Sequence, residues 1–334
     1  MTAVVDSFPS LQERVLAHKW ITFAGSFVAD CAFRTNALPG WGQTIMGSAF
    51  KLGPGGKGSN QAVAAARLGA SVSFICKLGE DVFGDLARQT YKREGIDTRY
   101  LFTTNEIFTG AASIVIDDIR GENAIVVVPG SGYQLTAGEI DQARPLMAES
   151  SFFVTQLEVP MDTAKRGLEL ARALGAQTIL NPAPAMPLSP EVYPLCDYVT
   201  PNEWEAAELT GISVQTADDA SRAADVLLTL GARNVVITLG AQGAFVKNRG
   251  IAELVPAVDA GPVIETTGAG DAFNGGFAVA LAEGMDIVSA TRFGCAVAGI
   301  SVTRHGTANS MPTRREVEEL SRKINQAREA HGPA

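Results

Sequence analysis

The segment Glu265 to Gly276, ETTGAGDAFNGG, sets a carboxylate at the mouth of a helix. Gly268, Ala269 and Gly270 form a small-residue turn, and Asp271 opens the helical pattern that follows. Backbone N–H groups at a helix start can stabilise charge that develops on transferred phosphoryl oxygens. A carboxylate beside them can accept the proton of an attacking hydroxyl, and the helix dipole favours its ionised form. Asp is also a common plain helix cap. The spacing alone leaves both readings open.

A second cluster, GPGGKGSN at 53–60, leads straight into the helical run QAVAAARL at 61–68. Glycines let a backbone approach a ligand closely, and a helix start offers free N–H groups. With Lys57 and Asn60 as extra donors, the loop suits sugar hydroxyls or phosphate; a tight turn before a helix is the plain alternative. Gly53, Gly55 and Gly58 also fit G-x-G-x-x-G, which would make the chain an NAD-dependent oxidoreductase. That fingerprint should directly follow the first hydrophobic strand, whereas MGSAFKL precedes this one. A P-loop needs G-K-[ST], and Lys57 is followed by Gly58.

The elements that must position these residues alternate. Strand-like runs are expected at 20–28, 72–78, 152–157, 177–180, 196–200 and 234–239, and helices near 61–68, 83–94, 136–149, 161–174 and 202–230. A hairpin pattern spans 243–257, and helices are expected at about 269–283, 286–303 and 313–328. Such alternation predicts a parallel sheet covered on both faces, with ligands beyond the carboxyl ends of its strands. Residues 32–52 and 110–128 break the alternation with β-rich runs and turns, so they are placed in a small β element outside the main sheet.

The chain has 334 residues, a net charge of −9, 46% hydrophobic and 19% charged residues. This balance is that of a globular protein able to bury a sizeable core. The acidic surface argues against nucleic acid and anionic membrane as partners. Cys31, Cys76, Cys196 and Cys295 are widely spaced, with no CxxC pair, so reduced thiols and a cytoplasmic setting are expected. Three histidines give little material for a His-based metal site or catalytic triad. Residues 1–18 do not read as a signal peptide and are expected to be an N-terminal extension ahead of one domain at 19–330.

Taken together, the motifs resemble the ribokinase-like (phosphofructokinase B type) carbohydrate kinases. The likeness runs from about 21 to 324. It is carried by GGKGSNQAVAAARLGA at 55–70, QLEVP at 156–160, NPAPA at 181–185, TPNEWEAAELTGI at 200–212, ITLGAQGAF at 237–245, TTGAGDAFNGGF at 266–277 and ISVTRHGT at 300–307. The resemblance implies a three-layer αβα sandwich, a mostly parallel central sheet and a small β-sheet lid over 32–52 and 108–128. It implies transfer of the γ-phosphoryl group of MgATP to a sugar hydroxyl. D-ribose is the best single match; another small sugar such as 2-deoxyribose or a ketose, or a nucleoside, stays open.

The resemblance also implies roles. Asp271 would be the base, and Gly268–Ala269–Gly270 the anion hole. Asp30, Gly56, Lys57, Asn60, Glu158 and Asp271 would hold the sugar. Asn202, Glu205, Thr238, Gly240, Gly243 and Gly270 would serve ATP and its Mg²⁺. Glu265, Thr267, Ser301, Arg304, Gly306 and Ser310 match a monovalent-cation site, several through backbone carbonyls, so K⁺ is an implied partner. A homodimer through the lid is implied as well. Two positions depart from the pattern: Glu265 stands where Asp is usual, and in Gly25–Ser26–Phe27–Val28–Ala29–Asp30 a valine replaces an asparagine that donates to a sugar hydroxyl. Loss of one polar contact weakens discrimination against sugars lacking the matching hydroxyl.

Overall fold

A computed structural model describes residues 20–119 and 123–331. The proposed extension at 1–18 lies outside the described residues. Nine strands form the main sheet. In spatial order they are Ala252–Val255, Ala244–Lys247, Asn234–Thr238, Tyr198–Val199, Gln177–Leu180, Ser150–Thr155, Trp20–Ala24, Val72–Gly79 and Leu101–Thr104. All neighbouring strands are parallel except the 244–247 strand, which runs antiparallel to both its partners. The short apolar runs are buried on both faces, as parallel sheets require. Ile21 and Phe23 face one core layer with the helices Lys57–Arg67, Ala269–Ala282 and Ile287–Ser301. Ala24 and Phe153 face the other, with Met161–Ala173 and Ala217–Thr229. The αβα sandwich expected from the alternation is therefore present.

A separate four-stranded sheet forms the lid, in the order Ala49–Gly55, Val28–Thr35, Thr109–Asp117, Asn123–Gly130. Here the structure corrects two readings. The run 20–28 is not one strand: it ends at Ala24, and after Gly25–Phe27 the chain enters the lid at Val28. Glycine at 25 lets the chain pass close to another element here, since a Cβ on it would lie 2.5 Å from Gln156 Oε1 and 2.8 Å from the Gly58 Cα. Nor is 53–60 a loop. Gly53–Gly55 closes a lid strand, and a single residue, Gly56, turns the chain into the helix that starts at Lys57. Gly56 has φ +89° and packs so closely that a Cβ would lie 2.7 Å from the Ser26 carbonyl oxygen. That position admits only glycine. The strand preceding this helix thus belongs to the lid, which removes the setting the dinucleotide fingerprint needs.

Candidate active site

Asp271 sits in the first turn of the Ala269–Ala282 helix, with Gly268 as its cap at φ +84°. Asn60 Nδ2 donates to Asp271 Oδ2 at 2.9 Å, and Gln61 Nε2 donates to Oδ1 at 3.1 Å. Asn60 and Gln61 lie inside the neighbouring helix, so the packing of two helices joins the two sequence clusters. Burial pushes the Asp271 carboxyl up, Lys57 and the two amide donors pull it down, and Glu158 adds an upward push. The net direction is upward, toward the range where a carboxylate can take a proton at neutral pH. For Lys57, burial opposes the charge, but Asp271, Glu158 and Glu205 outweigh it, and the ammonium is held above its ordinary range.

The turn itself differs from a row of three free donors. The Ala269 N–H donates to the Thr266 carbonyl at 3.1 Å. The amides of Gly270 and Asp271 lie at helix positions that have no intrahelical acceptor, so these are the ones left to face an anion.

Among the residues implied for the sugar, Glu158 Oε2 accepts from the Lys57 backbone N–H at 2.9 Å and from the Ser26 hydroxyl. Asp30, on a lid strand, accepts from the Thr307 hydroxyl at 2.7 Å. A Cβ on Gly55 would fall 2.4 Å from the Asp30 carboxylate, so the glycine there makes room for it. Burial raises the Asp30 carboxyl to about 6; the Thr307 hydrogen bond opposes this, while Glu158, Asp271 and Glu265 add to it. A cavity of about 240 Å³ between lid and body is lined by Asp30, Lys51, Ile114, Glu265 and Thr307 among others.

On the other side, a cavity of about 720 Å³ is lined by Asn202, Thr238, Gly240, Gly243 and Gly270, with small residues such as Ala298 and Gly299 at its back. Its size suits a nucleotide. Asn202 Oδ1 accepts from the Glu205 N–H at 2.8 Å, and Glu205 Oε2 accepts from the Asn202 N–H at 2.9 Å. The N-x-x-E pair is therefore a capping box, which fixes the Asn202 side chain at the cavity and the Glu205 side chain against the Asn202 N–H. Burial raises the Glu205 carboxyl, partly offset by the Asn202 N–H and Lys57. At Gly243, φ is +107° and a Cβ would lie 2.0 Å from the Val255 carbonyl oxygen.

Glu265 Oε2 accepts from the Gly306 N–H at 3.0 Å, which draws the implied cation residues into one loop. Their other side chains are engaged locally: Ser301 with the Ala298 carbonyl, Ser310 with the Thr307 carbonyl, and Arg304 with Glu316. Thr267 immediately precedes the Gly268 cap. Among the described residues no group of three or more His, Cys, Asp or Glu is placed to hold a metal. Ser26, Gln61 and Thr307 are contacts that sequence reasoning did not single out. All three stood inside quoted motifs, which was the available signal.

The pattern of the pfkB family carbohydrate kinases matches residues 20–314. The chain belongs to the pfkB family of carbohydrate kinases. A ribokinase of Haemophilus influenzae is 40% identical over 302 residues, covering 90% of this kinase and 98% of the relative. A deoxyribokinase of Salmonella typhi is 36% identical over 294 residues, covering 88% and 95%. Among solved structures, Arabidopsis thaliana ribokinase complexed with ribose and ATP superimposes with a TM-score of 0.84 at 29% identity, covering 90% of this kinase and 98% of that chain.

Proposed function

We propose that this kinase transfers the γ-phosphoryl group of MgATP to a hydroxyl of a pentose, D-ribose first, with Asp271 as the base. The observation that carries the reading is the place of the GAGD turn. Gly270 lines the large cavity, while Thr307, packed against Gly268 and bonded to Asp30, lines the small one. The turn lies between the nucleotide-sized space and a smaller one that Asp30 lines, while Gly56, Lys57, Asn60, Glu158 and Asp271 line neither cavity. Asp30, Gly56, Lys57, Asn60 and Glu158 hold the sugar. Asn202, Glu205, Thr238, Gly240 and Gly243 attend the nucleotide. Asn202 and Glu205 would help hold Mg²⁺, which would supply neutralisation of the phosphate charge. The Glu265 carboxylate and the carbonyls of the 301–310 loop are hard oxygen donors that suit K⁺. The four cysteines are free thiols, which accords with a cytoplasmic setting.

Val28 favours a second reading, a 2-deoxy sugar. Strand alternation turns Val28 to the same face as Asp30, and Val28 pairs with Gly55 across the lid. A valine there leaves one sugar hydroxyl without a polar partner. The test is ADP release from MgATP over D-ribose, 2-deoxy-D-ribose, ketoses and a nucleoside, with and without K⁺. We expect weak discrimination between the first two, and Val28→Asn should sharpen it toward ribose by about tenfold or more in kcat/KM. A wild-type preference for ribose above about 100-fold would end the Val28 argument, and no turnover with any sugar would end the pentose kinase reading.

The lid supports a homodimer. Its outer strand, Asn123–Gly130, is a sheet edge, and Ile125, Val126, Val127 and Val128 are all exposed along it. Phe33 and Leu52, on the other strands of the lid, are exposed as well. Edges and patches of this kind invite pairing. Sedimentation velocity should give a dimer that the double substitution Val126→Glu and Val127→Glu converts to a monomer; a monomeric wild type would rule the assembly out.

A further inference from the structure

Behind Asp271 lies a line of buried amides with no direct place in the transfer. Gln61, fully buried, donates Nε2 to Asp271 Oδ1 and to Asn181 Oδ1, both at 3.1 Å. Its Oε1 accepts from Gln156 Nε2 at 2.6 Å. A primary amide has two N–H donors and one carbonyl, so every polar group of Gln61 is used in one orientation. Turned over, its carbonyl would face two acceptor oxygens and its NH₂ would face another NH₂.

Gln156 has room because of two glycines. A Cβ on Gly25 would lie 2.5 Å from Gln156 Oε1, and one on Gly58 would lie 2.8 Å from it. Gly58 belongs to the motif read as a ligand loop, yet its missing side chain makes space for this amide. In the other direction, Asn181 Nδ2 donates to the Thr200 carbonyl at 2.8 Å, and the Thr200 hydroxyl donates to Asn274 Oδ1 at 2.5 Å. Asn274 Nδ2 then donates to the Gly270 carbonyl at 2.8 Å. The line thus ties the glycine pair to the turn that begins the Asp271 helix.

We infer that Gln61 is a positioning residue for phosphoryl transfer, held by Asn181, with Gln156 completing its partners, in the one amide orientation that donates to Asp271 and keeps it ionised. This rests on Asp271 being the base. A donor to the charged form of a carboxylate favours that form, and in a buried site the bond is not replaced by water. The other groups facing Asp271 are Asn60 and Lys57 on the adjoining helix, Glu158 beyond its strand, Glu205 on the helix at the nucleotide cavity, and Asp30 on the lid. They are unchanged when Gln61 alone is altered.

The test compares the full-length wild type with Gln61→Met and Gln156→Met. The protonated-carboxyl infrared band of Asp271, identified by its loss in Asp271→Asn, is titrated alongside the pH dependence of kcat. In Gln61→Met the band midpoint and the acid limb should both rise by about one pH unit. Gln156→Met should move them the same way by less, and ADP affinity should stay within about twofold in both. Should Gln61→Met fail to fold, Gln156→Met decides alone. An unmoved midpoint, even with reduced kcat, makes the amide line merely structural and overturns the inference. Turnover persisting in Asp271→Asn is a separate result: it removes the base reading without touching the infrared shift.

Discussion

Asp271→Asn is expected to lower kcat by about 10²–10⁴-fold, the usual contribution of a positioned proton acceptor. The amide has nearly the shape of the carboxyl but cannot take the hydroxyl proton. Nucleotide affinity should change little, because the large cavity is formed by other residues. Thermal stability should not fall either, since the substitution relieves the burial that raises the carboxyl. One of the two donors, Asn60 or Gln61, would face an NH₂ and lose its partner. Steady-state ADP release and calorimetric ADP binding check the two halves of the expectation. Activity within about tenfold of wild type would take the base role from Asp271.

The second large effect concerns Asp30. Its carboxyl is raised to about 6 in the fold, against roughly 3.9 in an unfolded chain. The ionised form is therefore the disfavoured one in the native state. Below about pH 4 both states carry the proton and there is no penalty. As pH rises toward 6 the unfolded chain releases its proton first, so stability falls, and above about 6 the loss is constant. At 1.36 kcal/mol per pH unit this amounts to about 2–3 kcal/mol at neutral pH. Asp30→Asn should remove the decline and stabilise the sugar-free protein at pH 7 by that order. It should also weaken sugar binding by tenfold or more, because a buried acceptor for a hydroxyl is lost. Chemical denaturation at pH 4 and pH 7 measures the first effect. Equal wild-type and variant stability at both pH values would contradict it.

The layers of the fold were legible because buried parallel strands and their helices have local signatures in residue type and period. The runs around Ile21–Ala24 and Phe152–Thr155 reflect this directly, and so does the helix after Gly268. The break at Gly25 was not legible, because what crowds that position, Gln156 and the Gly58 backbone, comes from distant elements. For the same reason 53–55 read as a loop: glycine and proline in a strand look like a turn until Val28–Asp30 is placed across from Gly53–Gly55. Motif residues such as Asp271 and Asn60 were found as types, but their contact spans 211 positions. The Thr307–Asp30 bond spans 277, and no periodicity reports such a meeting. The Ala269 amide was counted among the anion donors because spacing shows a helix start without showing which N–H the preceding loop occupies.

Asp30 belongs to the lid sheet, whereas Lys57, Glu158 and Asp271 belong to the body. Under the proposed roles, a sugar that meets all four adds a further tie between lid and body, beside the Thr307 bond to Asp30 and the bonds of Thr109 with Gly79 and Asp81. A molecule matching only the body half would leave the seam loose. Water could then enter beside the terminal phosphate, give its proton to the same base and attack the γ-phosphorus, so ATP would be lost as ADP and inorganic phosphate. Fidelity in this enzyme would then show as coupling: the ratio of ADP released to sugar phosphate formed should approach one for the proper sugar and climb for each misfit.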